Sequence, residues 1–413
     1  GVSDVTPFAQ MSEAAGGMLT GDSILFVDGF DRALKIPDKG YPGMSLQKTE
    51  SEKAIRGSNE GFGDSIKQNT ALIRKRLRSV DLKVAECKCG RRTGTNVDIM
   101  YLDGIVRPEI VTQMQQRLAA FEIDGIGDSG VIEQLTETQW FSPFPQYQTT
   151  RRPDRAVMAL LEGRAVLLAD NSPEVLIFPT DYNSFIKTTD DYYTRWEIAT
   201  FTRTLRYVAA FLSMILPGLY LAMTNFHTQL LPTKLLLSFA AARQGVPFPG
   251  VVEVLLMELS FELLREAGVR LPGAMGNTIG IVGGLIIGQA AVDANIVSPM
   301  VVIVVAFTAL CSFAIPNEDF ATAFRLLKFV FIGLSAALGF YGFLLGLLIL
   351  LIHLAQLESF GMPYLMPFVG ADLNDYRDER DSLVRPPLQA LTHRPFYANP
   401  KNRVRLRMKY KNR

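Results

Sequence analysis

Between Lys328 and His353 the chain carries no charged residue. A helix over that interval is long enough to cross a hydrocarbon core of ~30 Å with tilt. It is the last of three clear apolar spans, the others covering roughly 276–292 and 300–315, and a fourth segment, YVAAFLSMILPGLYLAMT, follows Arg195, Arg203 and Arg206. Arginines just before an apolar span mark its cytosolic end, and Pro217 is expected to kink that helix. In the second span Gly276, Gly280, Gly284 and Gly288 recur every fourth residue, so a helix carries them on one narrow face. Small residues at that spacing let backbones approach closely in lipid, either inside one bundle or between copies of the chain.

The preceding stretch is different in kind. Over 251–266, Glu258, Glu262, Arg265 and Glu266 share one helical face and leave Leu255, Leu256, Leu259 and Leu263 largely elsewhere. Such a helix suits an interface or a re-entrant hairpin better than a lipid-facing span. Charges at that depth must be paired or wet. Glu258 and Glu262 therefore face an aqueous vestibule, or they make local ion pairs with groups such as Arg265. In the third span Val301, Val304, Val305 and Thr308 form an i, i+3, i+4, i+7 stripe. It is either a hydrophobic constriction that gates by dewetting or a face turned to lipid or bundle. His353 reads as interfacial.

Up to about Arg206 the chain has the character of a soluble protein, which the average of 48% hydrophobic and 20% charged residues conceals. Residues 22–36 read as a hairpin around a type I′ turn at Asp28-Gly29. Gly57, Gly61 and Gly63 form a glycine-rich loop, after which Asp64 or Ser65 is placed to cap a helix turning Ile66, Ile73 and Leu77 inward. A phosphate loop needs Lys-Ser/Thr after its last glycine, and Gly63 precedes Asp64. The basic run Arg74, Lys75, Arg76, Arg78 reads as a solvated helix face, or else as a contact for anionic lipid or an acidic partner. A hairpin over 80–102, a helix opened by Pro108, a second from Pro153, and the strands RAVLLAD and EVLIFP complete the region.

Cys87, Cys89 and Cys311 cannot make a disulfide framework and offer no zinc-site spacing. With 42 Lys+Arg against 41 Asp+Glu, a dedicated nucleic-acid binder is not expected. No signal peptide is visible, and the start looks truncated. No catalytic constellation, metal site or cofactor motif is legible, so no enzyme activity and no cofactor are expected. Residues 394–413 carry eight Lys/Arg and no acid, which holds that end on the cytosolic side. Both ends inside require an even number of crossings. Four fit the hydropathy, with 228–270 re-entrant or in the outer interface, and six is the alternative. The expected fold is an α/β (α+β) soluble N-terminal region of two subdomains, 1–104 and 105–190. An α-helical integral membrane domain follows over 191–370, and a basic cytosolic tail over 371–413.

Several ordered motifs resemble a known family over essentially the whole length. They are RGSNEGF with NTALIRKRLRS, FPQYQTTRRPDRAVMALLEGRAVLLAD with SPEVLIFP, DDYYTRW, and LPGLYLAMTNFHTQLLP. RQGVPFPGVVEVLLMELSFELLREAGVRLP, GNTIGIVGGLIIGQAAVDANIVSPM and ESFGMPYLMPF complete the set. The chain resembles the A subunit of the GerA-type spore germination receptors, departing from the family pattern at Arg151 and Asn277. The resemblance implies a multi-pass protein among the lipids of the spore inner membrane, its soluble region on the spore-core side. It also implies a permease-like B subunit and a lipoprotein C subunit as partners, and a pentameric ring forming a nutrient-gated ion channel that releases cations. A broken-helix transporter, with Pro217 and the glycines at a midplane site, and a signalling or scaffold subunit without its own pore are the alternatives.

Overall fold

A computed structural model describes residues 5–8, 10–19, 22–36, 52, 57–269, 274–370 and 381–407, with the side chains of 12, 269, 274–282 and 285 outside the description. Contacts divide the chain into two compact units. One joins Gly1–Ser142, Gln146–Thr200 and Leu357–Arg413; the other joins Pro143–Pro145 and Phe201–Gln356.

The first unit begins with strands β1 (Thr6–Phe8), β2 (Ser23–Leu25) and β3 (Ala33–Ile36) in the order β1-β3-β2, with helix α1 (Met11–Leu19) between β1 and β2. Leu25 pairs with Leu34, as a hairpin requires, and Gly29 has φ +85°. The connection spans residues 26–32, so the tight two-residue turn expected at Asp28-Gly29 is replaced by a longer loop.

Its main sheet is antiparallel, with strand order β4-β5-β7-β8-β6. The strands are β4 (Leu82–Cys89), β5 (Thr95–Leu102), β6 (Gln148–Thr150), β7 (Ala165–Ala169) and β8 (Val175–Phe178). Helices α2 (Ile66–Arg76), α3 (Pro108–Ala119), α4 (Ser129–Thr136) and α5 (Pro153–Glu162) cover both faces. Every residue of β7 is buried. Its alternation sends Ala165, Leu167 and Ala169 toward α3 and α4, where Met114, Leu118 and Ile132 wait, and Val166 and Leu168 toward α2 and α5, among Ile73 and Leu160. Pairing of Val97 with Ala169 and Met100 with Val166 carries the sheet across Gly104. The subdomain division read at 104/105 therefore runs through one hydrogen-bonded sheet.

The start of α2 is held from far away. The N–H of Ile66 donates to Asp170 Oδ1 at 3.2 Å, and Ser65 makes no side-chain cap. Asn69 ties down the glycine loop, accepting from Gly63 N at 2.9 Å and donating to its carbonyl at 2.6 Å. In the basic run, Lys75 and Arg76 reach Glu60 at 2.7 and 2.6 Å, while Arg74 and Arg78 are exposed. The Lys75 ammonium and the Arg76 guanidinium hold the Glu60 carboxyl below the usual range.

Short helices α6 (Tyr182–Ile186) and α7 (Asp190–Tyr193) lead out of this unit. The chain re-enters it after residue 356 with strands β9 (Glu358–Ser359) and β10 (Met362–Pro363). The described part of the tail does not stand apart as a separate segment. Ala398 bridges to Val106, Asn399 N donates to Ile105 O at 2.7 Å, and Arg107 Nη2 donates to Phe396 O at 2.7 Å. Gly163 closes α5 in the left-handed region, φ +93°. A Cβ there would stand 2.6 Å from Ala398 Cα. Gly163→Ala is expected to lift residues 394–399 off the sheet. Limited proteolysis of the full chain should then cut in that segment, whereas Gly130→Ala, with open space around it, should leave it protected.

The second unit is helical: α8 (Trp196–Leu221) continued by a π-helical turn (Ala222–Phe226), α9 (Thr233–Ala242), α10 (Gly250–Val269), α11 (Ala274–Asp293), α12 (Pro299–Phe313) and α13 (Glu318–Gln356). Pro217 lies inside α8. Two stretches, Trp196–Phe226 and Glu318–Gln356, are long and apolar enough to cross a membrane. Yet α13 is not one rod. Gly339 has φ +60° and ψ −139°, outside the helical region. Phe331 and Phe343 would stand about 18 Å apart in a straight helix at 1.5 Å per residue, but their ring centroids are 5.8 Å apart. Phe144 lies 5.7 Å from Phe324 and 6.3 Å from His353, at opposite ends of the element. The span read over 329–352 is thus parts of two arms, 318–338 and 340–356, folded back on each other at Gly339.

Direction alternates through the bundle. Near the starts of α10 and α12, Ser298 N donates to Glu253 Oε2 at 2.8 Å; near their ends, Arg265 Nη2 donates to Ser312 Oγ at 2.7 Å. These helices are parallel, and α11 runs back between them, with Gly284 beside Phe261 and Gly288 beside Val302. The first arm of α13 opposes α10, because Arg325 faces Glu262 and Lys328 faces Glu258. It runs alongside α8, with Gly218 near Phe331 and Phe226 at Gly339.

Candidate functional site

Glu258 and Glu262 stand one turn apart on α10, and Arg325 and Lys328 three residues apart on α13, so each pair shares a helical face. Antiparallel packing brings the faces together. Lys328 Nζ lies 2.5 Å from Glu258 Oε2 and 3.3 Å from Glu262 Oε1, while Arg325 Nη1 lies 3.4 Å from Glu262 Oε2. The Lys328 and Glu258 side chains are 5% and 2% exposed. Two acids meet two bases, so the group is balanced, and among the described residues Glu258 Oε1 still has no hydrogen-bond partner. A buried ion pair offsets its desolvation only when both members are present.

Further charges frame α12. Glu253, wholly buried, accepts the Ser298 N–H at the start of α12 and pairs with Arg243 at 3.2 Å. Arg265 donates to Ser312 at the other end, its guanidinium 4.8 Å from the Phe313 ring centroid. An acid at a helix N-terminus and a base at its C-terminus both complement the helix dipole. α10 supplies both, which explains charged residues in so apolar a setting.

The stripe on α12 is placed as follows. Val301, Val305 and Thr308 are buried and Val304 is partly buried, the valines lying in a core shared with Val254 and Met257 of α10 and Ile332 of α13. Of the glycine face, Gly276 and Gly280 lie on α11 outside the described side chains. A Cβ at Gly284 would meet Phe261 Cε1 at 3.0 Å, and one at Gly288 would meet Val302 Cγ1 at 3.2 Å. Both described members press on helices of the same chain. Gly284→Leu is accordingly expected to destabilise a single chain by about 1–3 kcal/mol through overpacking. Thermal unfolding in detergent checks this against Ile286→Ala, a change at an exposed position; equal melting temperatures for the two would show that the α10–α11 contact is slack.

The sequence marks Glu258, Glu262 and Arg265, but marks Lys328 only as the border of a span and gives Arg325 and Glu253 no distinction. The available signal was an i, i+3 basic pair entering an apolar run, matching an i, i+4 acidic pair in another.

Comparison with known proteins bears on the whole chain. The family model described as Bacillus/Clostridium GerA spore germination protein matches residues 1–397. Spore germination protein KA of Bacillus subtilis (strain 168) is 42% identical, over 94% of this chain and 71% of that protein. Spore germination protein GerLA of Bacillus cereus is 38% identical, over 97% and 81%. The Bacillus subtilis protein called Uncharacterized membrane protein YfkQ is 41% identical, over 95% and 76%. The crystal structure of the N-terminal domain of the A subunit of the Bacillus megaterium spore germinant receptor GerK3 matches 43% of this chain and 62% of that one. The identity is 34% and the TM-score 0.32. With a family match over residues 1–397 and relatives near 40% identity along almost all of its length, the chain belongs to the GerA family of spore germination proteins.

Proposed function

We propose that this protein is the A subunit of a germinant receptor in the spore inner membrane. In this reading it crosses the membrane six times and assembles as an oligomeric ring, of five copies by the family resemblance, that conducts ions when nutrient is sensed. The observation that carries the conduction part is the charged group of Glu258, Glu262, Arg325 and Lys328 inside an otherwise apolar bundle. Ionisable residues at membrane depth are costly, pair with one another and mark ion pathways and relays. Alternating direction through α8, α10, α11, α12 and the two arms of α13 supports six crossings rather than four. Hydrogen bonds from 105–107 to 396–399 support one side for the soluble region and the tail, and the basic tail makes that side the spore core. A permease-like B subunit and a lipoprotein C subunit complete the receptor.

Recording from the full chain in planar bilayers, alone and with its partners, tests this reading. Unitary currents far above carrier turnover support a pore; flux at carrier rates favours a transporter, and none at all a signalling subunit. The α12 stripe is the proposed constriction, and gating then requires α12 to part from α10. Serine at Val301, Val304 and Val305 together is expected to wet it, with ion leakage from developing spores in the absence of nutrient at unchanged protein level. Normal ion retention would remove α12 from the path.

A further inference from the structure

A cavity of about 70 Å³ lies within the first unit, where α5, α6 and the C-terminal segment meet; Glu162, Arg164, Asp181, Lys187, His393 and Tyr397 are among its lining residues. Two of these are buried polar groups whose partners among the described residues are long or lacking. Arg164 is 6% exposed. Its guanidinium reaches Gln148 Oε1 and Glu162 Oε2 only at 3.5 Å and Asp181 Oδ1 at 3.9 Å, and among the described residues its Nε makes no hydrogen bond. Tyr397 is 3% exposed, and among the described residues its hydroxyl makes no hydrogen bond of good geometry, although the Asp181 carboxylate lies near enough to act on it. The ring of Tyr397 lies 4.2 Å from the Arg164 guanidinium carbon, so the two groups form one lining.

Of the nearby acids, Glu162 meets Arg164 only at 3.5 Å, and Asp181 and Asp381 are engaged elsewhere. Asp181 Oδ1 accepts from Ser184 N at 2.8 Å and Ser184 Oγ at 2.6 Å, capping α6. Asp381 accepts from Tyr192 Oη at 2.7 Å and Lys187 Nζ at 3.4 Å. Neither is placed to serve Arg164 as a close partner. A buried donor left unmade costs about 1–3 kcal/mol, more for a charged group, and native proteins meet such donors with a protein group, water or ligand.

We propose that this cavity is a binding site for a small carboxylate, held by the fork of Arg164 and the hydroxyl of Tyr397. A guanidinium matches a carboxylate in two parallel hydrogen bonds. Glu162 and Asp181 close by favour a single negative charge over the double charge of a phosphate. Burial holds the Tyr397 phenol well above the ordinary tyrosine range, so it remains a donor at neutral pH. Because Tyr397 belongs to the segment that docks through Phe396, Ala398 and Asn399, occupancy also fastens the chain that follows the last helix. The site is independent of how the helical unit conducts.

The test uses the full chain in detergent with sodium acetate, sodium phosphate and sodium chloride at matched ionic strength, which equalises screening. Hydrogen exchange at the amides of 396–399 is the readout. Acetate is expected to slow exchange saturably and chloride to leave it unchanged. Tyr397→Phe keeps the ring and removes only the hydroxyl, and should weaken the acetate effect about tenfold, as losing one hydrogen bond to a charged group does. Arg164→Lys, which keeps the charge without the fork, should weaken it at least as much. Protection by phosphate in place of acetate overturns the carboxylate assignment. No protection by either anion, with Tyr397→Phe indistinguishable from wild type, overturns the site and leaves a hydrated cavity.

Discussion

Alanine at Gly339 is expected to abolish the fold of the helical unit. With φ +60° and ψ −139°, this residue occupies backbone space that side chains strongly disfavour. Space is also lacking: a Cβ would stand 2.7 Å from Phe226 Cγ and 2.8 Å from its Cβ. Strain of about 1–3 kcal/mol adds to overpacking of about 1–3 kcal/mol. Beyond the bend Gly342 presses on the Leu334 carbonyl, and Gly346 lies near Leu334 and Phe331, a Cβ there falling 3.0 and 3.2 Å from them. Opening the bend therefore forfeits the whole seam. Gly333→Ala is the control, since that helical glycine has open space around it. Size-exclusion profiles in detergent should show Gly339→Ala aggregated and Gly333→Ala monodisperse or better behaved than wild type. Matching profiles for the two would mean that the arms are not folded back.

Lys328→Met should be nearly as damaging, for an electrostatic reason. It leaves Glu258 buried without its ammonium partner and Glu262 with Arg325 alone. Removing one member of a buried pair costs about 3–5 kcal/mol, whereas replacing both with apolar groups of similar size is often neutral. Lys328→Met is thus expected to lower the melting temperature sharply, and Glu258→Leu added to it to restore most of the loss. Coupling of that size in the double-mutant cycle is the signature of direct contact. The double variant also separates structure from function. A well-folded double variant that no longer supports germination places the charges on the working path, and one that germinates normally makes them packing. Independent effects of the two substitutions would refute the pairing itself.

Much of the architecture is written locally. The arginines before residue 207 and the charge-free interval after Lys328 divide the chain into its two kinds of sequence, because transfer of charge into an apolar setting dominates every competing preference. Pro108 and Pro153 open α3 and α5 where their fixed φ and missing N–H do no harm. The run RAVLLAD reads as a strand, and β7 forms there; that both of its faces are covered is seen only in the fold. Glu258 and Glu262 stood out as charges that must be paired or wet.

Their actual partners were not legible, since Lys328 lies 70 residues from Glu258 and nothing within one helical turn of either names the other. Only chain reversal through α11 and α12 sets α13 against α10. The same holds for Asp170 at the start of α2, for the C-terminal segment against Ile105–Arg107, and for Gly339. A glycine in an apolar helix reads as tolerated or as packing, and only the fold shows the non-helical backbone at Gly339 and the close approach of Phe226 to it. Hydropathy and capping are properties of neighbours in sequence, whereas pairing, reversal and burial of charge depend on which distant faces the folded chain brings within a few ångströms.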